Sequence, residues 1–131
     1  MEQAAINHAI AYYESDEGGS HRVESVEKDG VGWDLEAFSE DSAHLKVEVK
    51  GLSGKDPIVE LTPNEYAKMQ SPEHRADYII YVLTEALSPK PVAYIFRYDA
   101  ILTKGKDLVW MTDDGQRLRI LPIIAARLSI A

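Results

Sequence analysis

The sequence predicts an α/β (α+β) domain with a mixed central β-sheet flanked by helices. Three observations carry that expectation. A helix-periodic segment opens the chain, three strand-like runs follow it, and a second helix start precedes a nearly continuous apolar run at Tyr78–Leu83. Helices interleaved with strands of both alternating and fully apolar kinds fit a sheet with helices packed against it.

Glu2–Glu14 reads as the first helix, because Ile6, Ala9, Ile10 and Tyr13 recur at helical spacing and form an inward stripe. Glu2, four residues before Ile6, stands at the N-terminal end of the same stripe. Asp16-Glu17-Gly18-Gly19-Ser20 breaks the helix. His21–Val26 is expected as a strand and Lys28-Asp29-Gly30 as a turn. Two alternating runs follow, Val31–Phe38 and His44–Lys50, around a polar loop, Ser39–Ala43, of hairpin length. Gly51–Asp56 is read as a loop.

Thr62-Pro63-Asn64-Glu65 is a helix start, with Thr62 as N-cap, Pro63 at the first helical position and Glu65 closing a capping box. That helix is expected to run to Gln70, where Ser71-Pro72-Glu73 ends it. Tyr78–Leu83 suits a strand buried on both faces, and Pro91–Tyr98 adds another. Leu108–Met111 and Arg117–Leu121 read as a closing hairpin around Asp113-Asp114-Gly115. The apolar tail, Ile123–Ala131, is expected to be helical. Residues 1–131 are expected as a single domain, with a core over 2–98 and a C-terminal hairpin and tail over 99–131.

Composition removes several function classes. The chain has no cysteine, which excludes disulfides, thiolate metal sites and thiol nucleophiles and fits a reducing compartment. No apolar run approaches the ~20 residues that span a bilayer. Met1-Glu2-Gln3-Ala4-Ala5 has no basic start leading into an apolar core, so no signal peptide, no membrane association and a cytoplasmic location are expected. The net charge is -8. A free-standing nucleic-acid binder is usually basic, because phosphate contacts supply most of its affinity.

Chemistry concentrates in the hairpin. If the Ser39–Ala43 loop is symmetric, Phe38 faces His44, Glu36 faces Lys46, Asp34 faces Glu48 and Gly32 faces Lys50. Side chains alternate across a strand. Trp33, Leu35, Ala37, Leu45, Val47 and Val49 then share one face, and Asp34, Glu36, Lys46, Glu48 and Lys50 the other. Alternating charge on a hairpin is most often a wet, solvated face. Asp34 against Glu48 is different, since like charges directly opposite cost a few tenths to ~1 kcal/mol. A divalent cation between them reverses that cost, and hard cations such as magnesium favour carboxylate oxygens. Lys50, two residues beyond Glu48, could lower the pKa of an attacking water or stabilise charge developing on phosphorus. These are the parts of metal-assisted phosphodiester hydrolysis.

The segments Gly32-Trp33-Asp34-Leu35, Val47-Glu48-Val49-Lys50-Gly51 and Leu61-Thr62-Pro63-Asn64-Glu65 together resemble the protein NO VEIN C-terminal domain family, which is similar to the PD-(D/E)XK, restriction endonuclease-like nuclease fold. The correspondence runs from the first helix to Tyr98. It implies that Asp34 and Glu48 bind Mg2+ or Mn2+ and that Lys50 is the catalytic lysine. Such nucleases often add an acidic residue from the first helix, and Glu2 matches that place; as a helix-start glutamate it also complements the helix dipole. The resemblance further implies an endonuclease acting on DNA in restriction or phage defence. A partner protein or domain would supply target recognition, and a homodimer would be needed to cut two strands.

Other readings stand beside this one. The same fold could serve as a catalytically inactive module for binding or assembly, which the acidic balance favours. An unrelated α+β domain would place Asp34 and Glu48 on opposite faces of the sheet. Thr62 and Glu65 have a sufficient structural reason in the capping box, although Asn64, Glu65 or Tyr66 could approach substrate. His8, His21, His44 and His74 show no metal-ligand spacing, and His44 is expected to be exposed. The loop Gly51-Leu52-Ser53-Gly54-Lys55 lacks P-loop spacing, so Lys55 is read as a solvated loop lysine. Trp33, Trp110 and the seven tyrosines are read as core or rim residues rather than base-stacking platforms.

Overall fold

Two sheets and two helices make up the computed structural model, which describes residues 1–40, 44–122 and 126–131. In chain order these are α1 (Glu2–Glu14), β1 (Arg22–Ser25), β2 (Leu35–Phe38), β3 (Leu45–Gly51), β4 (Val59–Leu61), α2 (Pro63–Gln70), β5 (Tyr78–Thr84), β6 (Val92–Lys104), β7 (Asp107–Met111), β8 (Leu118–Pro122) and β9 (Ala126–Ile130). The larger sheet has the order β1-β2-β3-β5-β6-β7. Its pairs are antiparallel except β3 with β5, which is parallel. The connection between those two carries β4 and α2, the kind of long crossover that parallel neighbours require. The smaller sheet runs β4-β9-β8, antiparallel throughout. The mixed sheet and flanking helices expected from the sequence are present.

β5 is the spine. All seven of its residues are buried, so alternate side chains feed two separate cores. Ile79, Tyr81 and Leu83 pack with Ala5, Ile6, Ala9 and Tyr13 of α1, and with Val47 and Val49 of β3. Tyr78, Ile80 and Val82 pack instead with Met69 of α2, Val59 and Leu61 of β4, and Leu118 and Leu128 of the smaller sheet. The helical stripe of α1 therefore faces the sheet as its spacing predicts.

The hairpin register is the one a symmetric loop predicts: Leu35 pairs Val47, Glu36 pairs Lys46 and Ala37 pairs Leu45. Within the Ser39–Ala43 loop, residues 41–43 lie outside the described residues. The strand itself is shorter than expected. Val31–Asp34 bends instead of extending, because Gly32 adopts the left-handed conformation, φ +99°. Trp33 consequently leaves the α1 side and packs in the second core, a correction to the predicted face. Gly32 does not oppose Lys50 either. It lies under α2, where an added Cβ would come within 2.6 Å of Lys68 Cγ.

Further differences from the expected elements follow from long-range pairing. Val59-Glu60-Leu61 forms a strand without a sequence signal, three residues being too few for periodicity to register. The expected closing hairpin divides: β7 pairs with β6 and β8 with β9, with Met111 and Arg117 joined by an isolated bridge. The tail from Ala126 is a strand, not a helix: it is the middle strand of the smaller sheet, and its burial alternates over Ala126, Arg127 and Leu128; residues 123–125 lie outside the described residues. β6 also continues past Tyr98 to Lys104, through a register shift between Asp99 and Lys104.

Candidate active site

Alternation along β3 sends Val47 and Val49 toward α1 and leaves Lys46, Glu48 and Lys50 on the α2 side. Glu48 is only 1% exposed. Its Oε2 lies 3.1 Å from Lys50 Nζ, while Oε1 is buried without a hydrogen-bond partner among the described residues. Such an orphaned carboxylate oxygen is uncommon in a folded interior.

Asp34 reaches this point from the bend ahead of β2. Its amide donates to Val47 O at 2.9 Å, and its Oδ2 accepts the Val49 N–H at 2.8 Å. Those two bonds pin the carboxylate against β3, where it lines one cleft with Glu48. Asp34 and Glu48 therefore share one side of the sheet, and the reading that would separate them fails.

Burial sets the electrostatics. It pushes Glu48 up to about 9; Lys50 pulls the other way, and the charges of Asp34 and Glu65 add to the rise. Asp34 is also raised by burial, against the Val49 hydrogen bond. At neutral pH Glu48 thus holds a proton, the expected state for two crowded carboxylates with no cation between them. Burial would discharge Lys50, but over the alkaline range where it would titrate Glu48 is ionised too, and the charges of Glu48 and Glu65 outweigh burial and keep the ammonium above its ordinary range. Lys50 is a fixed positive charge here and cannot serve as a base.

Glu65 is the second anchor of that charge. Its Oε1 accepts from the Thr62 N–H at 2.9 Å, and Glu65 N–H donates to Thr62 Oγ1 at 3.2 Å, completing the capping box. The same Oε1 lies 3.1 Å from Lys50 Nζ. Helix cap and site thus share one oxygen. Glu2 arrives from the first turn of α1, bonded to the Gly51 backbone. Burial raises it most, Gly51 and Lys50 oppose, and Asp34 raises it further, so its charge is felt within the cluster. The approach is close: a Cβ on Gly51 would lie 2.5 Å from Met1 O. Of the residues singled out from the sequence, Asp34, Glu48 and Lys50 gather on the α2 side of β3, whereas Glu2 is held at the Gly51 backbone and does not line the cleft.

The cleft has a volume of about 190 Å³ and is lined by Glu27, Trp33, Asp34, Glu48, Asn64 and Glu65 among others. Among the described residues no group of three or more His, Asp or Glu closes on one point as a complete metal cage would. Asp34 and Glu48 alone fit a cation that takes one or two carboxylates and keeps its other positions for water and phosphate, the habit of magnesium. The orphaned Glu48 Oε1 is the atom such an ion would satisfy.

Sequence reasoning passed over two contributors. The Tyr78 hydroxyl donates to Gly32 O at 2.7 Å and braces the bend that carries Asp34; a tyrosine heading a fully apolar strand needs a partner for its hydroxyl, and that was a readable signal. Glu27, from the turn after β1, lines the cleft with no sequence signal to mark it. The histidines stay outside. His8 contacts the Tyr81 hydroxyl at 2.6 Å, and His21 packs edge-on to Tyr13. His44 is half-buried rather than exposed, stacked on Phe38 and 2.6 Å from Glu36. Lys55 is exposed, as read.

No helix among the described residues is long and apolar enough to cross a membrane. The family described as Protein NO VEIN, C-terminal, matches residues 1–96, a span that holds every side chain of this site. No curated protein and no solved structure matches the chain.

Proposed function

The chain belongs to the Protein NO VEIN, C-terminal, family, and from that premise and its site we propose a metal-dependent nuclease domain that hydrolyses nucleic-acid phosphodiester bonds with Mg2+ or Mn2+. The observation that carries this is a buried glutamate with an unpartnered oxygen, Glu48, set beside Asp34 and a charged lysine on the same side of neighbouring strands. Asp34 and Glu48 would hold the cation. When bound, it supplies Lewis acidity to a phosphoryl oxygen and a nucleophilic water at neutral pH. Lys50 contributes positive charge where negative charge develops on the phosphorus oxygens, and Glu65 aims it. Glu2 closes the α1 side of the cluster. A PD-(D/E)XK, restriction endonuclease-like fold is part of the same proposal, as are DNA as the substrate, a role in defence, and a partner domain or second copy for target recognition and two-strand cutting.

The test is cleavage of plasmid DNA and of a structured RNA with Mg2+ or Mn2+, beside Asp34→Ala, Glu48→Ala and Lys50→Ala. Metal-dependent cutting that each substitution abolishes is the expected result; undiminished cutting by all three variants refutes the assignment. A catalytically inactive binding module is the second reading, favoured by the small cleft and by a Lys50 ammonium already engaged on both sides, 3.1 Å from Glu48 and 3.1 Å from Glu65. Calorimetric titration with Mn2+ separates the two, since a module without chemistry would take up no ion and be indifferent to Asp34→Ala.

A further inference from the structure

The chain is acidic overall, net charge -8, yet cations gather along one flank of the cleft. Lys46 lies on the same face of β3 as Glu48, two residues away or roughly 6.6 Å along the strand. Its ammonium sits 5.4 Å from the centre of the Trp33 ring and donates to His74 Nδ1 at 2.8 Å. Lys68 of α2 lays its stem against Gly32. Arg75, in the turn after α2, stacks over Tyr98 at 5.2 Å. The rings beneath form a continuous row: Trp33 to Tyr78 and Tyr78 to Trp110 at 6.4 Å each, then Trp110 to Tyr98 at 5.5 Å. That row begins at the cleft itself, because Gly32 and Trp33 line it.

These three cations are half-buried, and among the described residues none forms a salt bridge. Two of the carboxylates nearby are engaged elsewhere. Glu36, the cross-strand partner of Lys46, is held by His44 at 2.6 Å and by Trp33 Nε1 at 3.3 Å. Glu73 lies 3.7 Å from His74 Nε2. Lys46 and Arg75 are thus braced on aromatic rings and Lys68 on the Gly32 backbone, without a salt bridge among the described residues, in a molecule with carboxylates to spare. Rigid, unpaired cations beside a cleft raise the local concentration of an anionic ligand.

We propose that Lys46, Lys68 and Arg75 form a phosphate-gripping strip that leads a nucleic-acid strand into the cleft at Asp34 and Glu48. The identity of the polymer rests on the nuclease reading; the grip itself does not require cleavage. A strand of phosphates is favoured over an acidic peptide because the strip ends on a site suited to phosphodiester chemistry. It also explains how an acidic chain could hold an acidic polymer, by one local patch.

The experiment measures binding of labelled single-stranded and duplex DNA across a salt series in EDTA, where no cutting can occur. Wild type is compared with Lys46→Met, Lys68→Ala, Arg75→Ala and the triple variant, each checked for folding by circular dichroism. Lys104→Ala/Lys106→Ala, at the distant β6–β7 turn, is the control. Each single substitution should flatten the slope of log affinity against log salt by about 0.7–0.9, and the triple by about two to three times that, with the control unchanged. An unaltered slope in the folded triple variant overturns the proposal. So does absence of DNA binding by the wild type, or polyglutamate competing as well as DNA. A slope that flattens as expected while cutting with metal is never seen would uphold the strip and sink the nuclease assignment.

Discussion

Glu48 is the residue on which charge and stability meet. Its folded pKa of about 9 stands above the ordinary value of 4.5, so the folded state binds the proton more tightly than the unfolded chain does. The stability linked to this proton is fully present below the unfolded value. It is lost as pH rises from there through the folded value. Metal-free protein should therefore melt progressively lower between those limits. Glu48→Gln should raise stability at pH 8 by about 1–3 kcal/mol and flatten that pH dependence, as thermal melts would register. Mn2+ should reverse the loss in wild type, with proton release, and do nothing for the variant. Glu65 permits a cleaner separation of roles. Glu65→Gln retains a side chain able to close the capping box but removes a negative charge from Lys50, so cleavage should fall several-fold with the melting temperature nearly unchanged. Thr62→Ala should do the reverse, costing about 1 kcal/mol of stability while activity persists.

Elements placed by near neighbours were legible in the sequence, and those placed by distant ones were not. The hairpin register follows from loop symmetry and a period of two, and the α2 cap from four consecutive residues; both match the structure. Asp34, Glu48 and Lys50 could be grouped for the same reason, since one hairpin holds all three. The bend at Gly32 escaped, because alternation continued through it while the backbone turned under the Tyr78 hydroxyl. β4 and β9 escaped because each is a short strand whose pairing, Leu61 with Ala126, depends on a residue from the other end of the chain. The bond from Glu65 to Lys50 joins separate elements and needed the crossover to be seen. At this scale the junction of α1 with β3 is testable. Gly51→Ala would drive a methyl group into the Met1 carbonyl, so it should displace the start of α1. Thermal melts should show a loss of about 1–3 kcal/mol, and metal affinity should weaken as Glu2 moves away.

At the scale of the whole molecule, two cores share one central strand, and the second is completed by late sequence. Trp110, Leu118, Ala126 and Leu128 are buried there against Tyr78, Ile80 and Val82. All four lie beyond the span that the family match covers. Leu128, fully enclosed, is the sharpest probe: Leu128→Ala should cost about 2–5 kcal/mol by chemical denaturation. Its effect should reach the cleft, because β9 supports β4 and β4 leads directly into the Thr62 cap. That pairing has a temporal side. Leu61 leaves the ribosome 65 residues ahead of Ala126, its partner across the smaller sheet. At the usual pace of translation the delay is roughly 3–13 s. For those seconds a nascent chain already carries both acidic groups and the lysine, but not the strand that steadies the helix aiming them. On this topology the Thr62 cap is steadied only once Ala126 has emerged and paired.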